Sequence, residues 1–355
     1  MLLPKRSLLI CLLTFVVAFV ACNPGGSTSS SPSVSLQGAG ATFPNPLYQK
    51  WLSEYGKLHP NVKIDYQSIG SGGGIKQIQS QTVDFGASDT PMKDDDLKAA
   101  PGEILHIPTV LGAVVITYNL PALGQPLNFS PDVISDIFLG KITKWNDPRI
   151  TADNKGINLP TSEITVVHRS DGSGTSAVFT DYLSKVSSEW KEKVGTGTSP
   201  SWPIGIGGKG NEGVTGQVKN TPNTIGYVEL AYATQNKLPV AKVKNASGNF
   251  VEPSIDAVTA AAAASAGNTP DDLRVSITNA QGAQVYPISS YTYLLIYKEQ
   301  KDAAKGKVLV DYVWWGIHDG ESFAKELLYA PLPADIVKRA EGKINSITSG
   351  GKPLR

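Results

Sequence analysis

The stretch "ITVVHRSDGSGTSAVFTDYLSKV", Ile164 to Val186, decides the fold. Ile164, Val166 and His168 alternate with Thr165 and Val167, the period of a strand. "RSDGSG" then turns the chain. Val178, Phe179, Tyr182, Leu183 and Val186 follow at helical spacing, from a start near Ser173. At the turn, Arg169 and Asp171 stand beside residues that are all glycine, serine or threonine. A helix N-terminus presents unpaired N–H groups and partial positive charge, so it attracts anions. Glycine allows close backbone approach, and Ser and Thr add hydroxyl donors. The stretch is either a surface turn or an anion site.

Two other segments repeat the plan. "VSLQGAGATFPNPLYQKWLSEY" runs from a short strand near Ser35 to Gln37 into "GAGATF". Pro44 or Pro46 sits where a helix can begin, and Leu47, Trp51, Leu52 and Tyr55 form its apolar stripe. "VKIDYQSIGSGGGIKQIQSQTVDFGASDTPM" gives a strand through Val62, Ile64 and Tyr66, a loop "SIGSGGG", and a helix begun by Ile75 and Ile78. A return strand ends at Asp89. This alternation argues an α/β fold on mostly parallel sheets, where ligands sit beyond the carboxyl ends of strands. One such loop is ordinarily only a turn. Three in one chain, one with an arginine, favour an oxyanion cradle. "FSPDVISDIFLGK", with Ser130 as N-cap and Gly140 past its end, is a structural helix, as is the alanine-rich "SIDAVTAAAAASAG", stopped by Gly267.

The N-terminus has a different character. Lys5 and Arg6 precede an apolar run to Val20 that is too short for a comfortable membrane span, and small residues follow. Residues 1–21 are expected to be a secretory signal peptide. "FVAC", Phe19 to Cys22, resembles the lipobox of bacterial lipoproteins. Cys22 would be the one thiol of the mature chain, because Cys11 lies in the leader, so no internal disulfide can form. Lipidation is expected at Cys22, with residues 22–35, rich in Gly, Ser and Pro, as a flexible tether.

Charge and motif tests narrow the function. The sequence has 32 Lys and Arg against 31 Asp and Glu, and removal of the leader takes only Lys5 and Arg6. With no basic stripe, a nucleic-acid partner is not expected. The remaining length exceeds one typical core and suggests two lobes. "GIGGKG", Gly205 to Gly210, fits a dinucleotide fingerprint, but "SWPIG" precedes it rather than a clear strand. Ser173 lies in "DGSGT", where a hydrolase elbow would read G-x-S-x-G, and His168 is too close in sequence to imply a triad. The four histidines, His59, His106, His168 and His318, lack metal spacing. No metal and no cofactor are expected. The acidic run Asp94 to Asp96 suits a solvated helix start, and Trp314 and Trp315 suit the core.

At "GAGATFPNPLYQKW", "IGSGGGIKQI", "VDFGASD", "RSDGSGTS" and "WPIGIGGKGNEGV…IGYVE", the chain resembles the substrate-binding protein of bacterial high-affinity phosphate ABC transporters. The match runs in order from about Leu36 to the C-terminal "GKPLR". The resemblance implies a two-lobed periplasmic-binding-protein fold of type II, with two mostly parallel sheets and a two-strand hinge. Lobe I would be residues 36–118 and 286–355, and lobe II residues 119–285, with crossings near Thr117 to Asn119 and Val285 to Ile288. It implies inorganic phosphate as ligand, held by Ala41, Thr42, Phe43, Ser71, Asp89, Arg169, Ser173, Gly174 and Thr175. Asp89 would meet the phosphate proton, and Asp171 would orient Arg169. His168 departs from the family, which has a basic residue such as arginine there. The implied protein is an exported monomer, held to the membrane through its lipid alone and delivering phosphate to permease and ATPase subunits. Two other classes share the cradle: a phosphatase or phosphoryl-transfer enzyme with Ser173 as nucleophile, and a phosphate-sensing surface protein.

Overall fold

The structure, a computed structural model, describes residues 33–120, 123 and 125–355. The leader, Cys22 and the tether as far as residue 32 lie outside the described residues. Among the described residues, no helix is long and apolar enough to cross a membrane.

The fold is built on one strand. β4 (Ile104–Tyr118) is buried along its whole length. It follows β1 (Val34–Gly40), β2 (Val62–Ser68) and β3 (Phe85–Ser88). After it come β5 (Asn128–Phe129), β6 (Thr165–Arg169), β7 (Ile206–Gly208), β8 (Thr224–Glu229), β9 (Lys242–Lys244), β10 (Phe250–Val251) and β11 (Ser289–Tyr297). An eight-stranded ladder runs β2-β1-β3-β11-β4-β8-β6-β7, and a small sheet runs β10-β9-β5. The first ten residues of β4, Ile104 to Ala113, face β11, while Val114 to Tyr118 pair with β8. The strand therefore changes partner between Ala113 and Val114, a few residues before the crossing expected near Thr117 to Asn119. The return passage lies beside it, where Val114 N–H donates to Ile288 O at 2.8 Å and β11 starts at Ser289.

The two expected sheets are thus joined through β4 into one ladder, parallel at its outer strands and antiparallel at its centre. β1 pairs parallel with β2 and β3, and β6 with β7 and β8. The central pairs β11–β3, β11–β4 and β4–β8 are antiparallel. The reason is connectivity. β4 carries the chain out to the second lobe and β11 carries it back, so the two must run in opposite directions.

Helices cover the sheet with the faces their spacing dictates. Helix Asn45–Leu58 buries Leu47, Tyr48, Trp51 and Tyr55, and Leu52 is only half-buried. Helix Gly174–Val186 buries Val178, Phe179, Tyr182 and Leu183. Each large apolar side chain so removed from water contributes roughly 1.5–3 kcal/mol. One sequence boundary and one helix cap differ from expectation. β1 begins at Val34, so the last residues assigned to the tether, Val34 and Ser35, pair with Val62 and Lys63 of β2. Ser130 stands at the N-cap of helix Pro131–Phe138, yet its hydroxyl caps nothing; its N–H instead donates to Asp153 Oδ2 at 2.7 Å.

The largest shift concerns "SIGSGGG". Its last three glycines are not loop: helix Ser71–Gln79 starts at Ser71, so Gly72, Gly73 and Gly74 lie in its first turn, and only Gly70 precedes it. Glycine disfavours a helix by about 1 kcal/mol, so packing must account for it. A Cβ on Gly74 would come within 2.6 Å of Gly40 Cα and 2.7 Å of Ala87 O. The helix start is pressed against β1 and β3, which brings its free N–H groups to the end of the sheet.

Candidate functional site

Four helix N-termini converge between the lobes. On the first lobe, the β1 loop carries Ala41, Thr42 and Phe43, Ser71 opens its helix, and Asp89 follows β3 directly. On the second, Arg169 ends β6, Ser173 caps helix Gly174–Val186, and Asn211 lies at the start of helix Gly210–Asn220. Thr42, Ser71, Asp89, Arg169, Ser173, Thr175 and Asn211 are all buried. Ala41 and Phe43 are also buried, and Ala41 N–H donates to Ala87 O at 3.0 Å.

Arg169 is the one buried cation among the described residues. Its Nε and Nη2 donate to Asp171 at 2.8 and 2.6 Å, and Nη1 donates to Thr175 Oγ1 at 3.3 Å. A guanidinium has five N–H groups, so one remains on each terminal nitrogen, a two-pronged fork for an oxyanion. Asp171 is fixed in turn by the Gly210 N–H at 3.0 Å. Burial acts to raise the Asp171 pKa, but the Arg169 hydrogen bonds and charge outweigh it and leave the carboxyl below its ordinary value. The arginine's backbone is held too: its N–H donates to Tyr227 OH at 3.1 Å, and that hydroxyl lies 2.6 Å from Ser176 Oγ.

Asp89 sits opposite. Its Oδ1 accepts from Thr292 Oγ1 at 2.9 Å and its Oδ2 from Ser71 Oγ at 3.3 Å, while its carbonyl accepts from Ser290 Oγ at 3.1 Å. Burial pushes the carboxyl up to about 7, against the lowering effect of the Thr292 hydroxyl, the Arg169 charge and the Ser71 hydroxyl. The lobes meet closely here. A Cβ on Gly174 would lie 2.3 Å from Ser71 Oγ and 2.5 Å from Asp89 Oδ2. Gly72 N–H also donates across the cleft to Gly172 O at 2.8 Å.

The residues named from the sequence for the anion cradle, Ala41 to Phe43, Ser71, Asp89, Arg169, Asp171 and Ser173 to Thr175, fall in this one region, and the remaining donors point the same way. Ser173 Oγ accepts the Ser176 N–H at 3.0 Å as an N-cap, which leaves its own proton to give. The first N–H groups of helix Gly174–Val186 have no partner within the helix. His168 lies against Trp202, with ring centroids 5.0 Å apart, and its Nδ1 is 3.0 Å from Arg169 O. Sequence reasoning missed Asn211, Tyr227, Ser290, Thr292 and the buried pair Glu229 and Tyr329. For Asn211 a signal existed. "IGGKGN", Ile206 to Asn211, contains the strand β7 and runs straight into helix Gly210–Asn220, so it forms a fourth strand–loop–helix unit.

A family model described as a PBP superfamily domain matches residues 26–314. The chain is 44% identical over 354 residues to the phosphate-binding protein PstS of Pasteurella multocida, covering 99% of each chain. The chain belongs to the PstS family. It is also 40% identical over 367 residues to the phosphate-binding protein PstS of Methanocaldococcus jannaschii, covering 95% of this chain and 94% of that one. Among solved structures, a phosphate binding protein from Stenotrophomonas maltophilia shares the fold with a TM-score of 0.65 at 21% identity, covering 88% of this chain and 94% of that chain.

The raised Asp89 pKa has a consequence for stability. Between the unfolded value and about 7, the folded protein holds a proton that the unfolded chain has lost. This contribution to stability is therefore full below about pH 4 and is lost as pH rises through about 7. Asp89→Asn removes the titration. In ligand-free protein, the melting temperature of Asp89→Asn should rise relative to wild type by several degrees between pH 5 and pH 8. A difference that stays constant across that range would place Asp89 in a solvated setting.

Proposed function

We propose that this protein binds inorganic phosphate in the cleft between its lobes and delivers it to a membrane permease and ATPase of a phosphate ABC transporter. The observation that carries the reading is the content of the cleft: a ring of N–H and O–H donors around one buried arginine, with one buried carboxylate facing it. Thr42, Phe43, Ser71, Arg169, Ser173, Gly174 and Thr175 supply the donors, with Ala41 shaping the first loop. A tetrahedral oxyanion matches such a set. Asp89 receives a proton that phosphate near neutral pH carries and sulfate lacks.

The protein is a binding protein, not an enzyme. As a nucleophile Ser173 would need a base in hydrogen-bond reach. Its oxygen instead accepts a backbone N–H, and His168 is engaged with the Arg169 carbonyl. The lobes, hinged where β4 changes partner and where β11 begins, close over the ligand and present one face to the permease. The leader exports the chain, and lipid on Cys22 tethers a monomer at the outer face of the cell membrane.

Two experiments test this reading. Arg169→Ala should weaken phosphate binding in calorimetry by roughly 1.5–3 kcal/mol, the usual worth of a hydrogen bond to a charged group. Asp171→Asn should weaken it less, by freeing the guanidinium; unchanged affinity in Arg169→Ala would remove the arginine from the site. Cys22→Ser should release the protein from membranes into the soluble fraction with phosphate affinity intact. A variant that still sediments with membranes contradicts the anchor.

A further inference from the structure

Asn211 is fully buried and touches both lobes. Its orientation is fixed. Oδ1 accepts the backbone N–H of Glu229 at 2.9 Å, and because a backbone N–H can only donate, the amide cannot be turned round. The Nδ2 protons therefore point the other way, to Thr42 Oγ1 at 2.7 Å and Thr175 Oγ1 at 3.1 Å. Each threonine oxygen accepts a second N–H. Thr42 Oγ1 takes the backbone N–H of Asn211 at 3.2 Å, and Thr175 Oγ1 takes Arg169 Nη1 at 3.3 Å.

A hydroxyl has two lone pairs and one proton. Both lone pairs of Thr42 and of Thr175 are thus engaged. Among the described residues, neither hydroxyl has a protein acceptor for its proton. We propose that Asn211 is a specificity-determining positioning residue: it locks the Thr42 and Thr175 hydroxyls as donors into the cleft. At those two positions the site then admits only ligand oxygens that carry no proton. A ligand hydroxyl placed there would meet a donor facing a donor, with no lone pair to receive it. Thr42 belongs to the first lobe and Thr175 to the second, so one amide sets the polarity of both as the cleft closes. Asn211 does this without touching the ligand.

The inference rests on the phosphate reading of the cleft, and a double-mutant cycle separates the two. The measurement is phosphate affinity by calorimetry, after bound phosphate is stripped, in wild type, Asn211→Ala, Thr42→Val/Thr175→Val and the triple variant. Asn211→Ala should weaken phosphate at least tenfold in the wild-type background and less than twofold once both hydroxyls are gone. An equal loss in both backgrounds means that Asn211 merely braces the lobes, and overturns the proposal. If Thr42→Val/Thr175→Val binds phosphate as wild type does, the cleft reading fails and the proposal with it. The isosteric Asn211→Asp is the second variant, since it keeps an oxygen for the Glu229 N–H. Its other oxygen accepts from both hydroxyls and turns their protons out of the cleft, so phosphate affinity at pH 8 should fall more than in Asn211→Ala. Wild-type affinity in Asn211→Asp would overturn the proposal as well.

Discussion

The structure depends on keeping one positive charge out of water. A buried guanidinium is tolerated only when its donors are matched, because breaking such a pair costs several kcal/mol. Arg169 meets this condition through Asp171, which grips two of its nitrogens and is itself held by the Gly210 N–H. Gly210 opens the helix that carries Asn211, and Asn211 reaches the two threonines. The charge thus organises the second lobe's side of the cleft before any ligand is considered. What remains unmatched is the outer fork of the guanidinium, which is where, on the proposed reading, an anion's oxygens complete the set.

Opposite it lies a carboxylate that the same burial makes reluctant to ionise. Asp89 and Glu229 are both fully buried acids, but their surroundings differ. Burial raises the Glu229 pKa well above its ordinary value. Its Oε2 accepts the Ala231 N–H at 2.8 Å and lies 3.1 Å from Tyr329 OH, whose proton goes to Phe43 O at 2.7 Å. That chain steadies the first ligand loop from behind. Asp89 faces the cleft itself, close to Gly174, where even a methyl group would collide with it. The glycines at positions 72, 74 and 174 are there for approach distance rather than for turns: Gly74 lets its helix press on β1 and β3, while Gly72 and Gly174 allow the two halves to close to hydrogen-bonding range.

Much of this was legible in the sequence because the three obvious units each place strand, glycine and hydroxyl residues in one continuous stretch. The loops that carry Thr42, Ser71 and Thr175 could be found that way, while the individual contact residues, Asp89 among them, came from the family resemblance. The anion character followed from helix termini alone, whereas phosphate required the family resemblance. Residues brought from far along the chain were not legible. Thr292 reaches Asp89 from β11, and Tyr329 reaches Phe43 from beyond it, contacts that no local pattern encodes. Asn211 was hidden differently: β7 is only three residues long and half-exposed, too short to show an alternation. The continuous ladder was hidden too, since a strand buried along its whole length shows no period-two signal where it changes partners.

The central claim is that a donor cradle recognises an anion and a single buried acceptor tells phosphate from sulfate. Both anions are tetrahedral, and the proton is what separates them. On the proposed reading Asp89, ionised above about pH 7, receives the phosphate proton, whereas against sulfate it opposes a lone pair and a like charge. The direct test is calorimetric titration of phosphate and sulfate into wild type and Asp89→Asn, each stripped of bound phosphate. The account predicts that the preference for phosphate falls by at least about tenfold, ~1.4 kcal/mol, mostly through tighter sulfate binding to the variant. A variant that excludes sulfate as well as wild type does would contradict it.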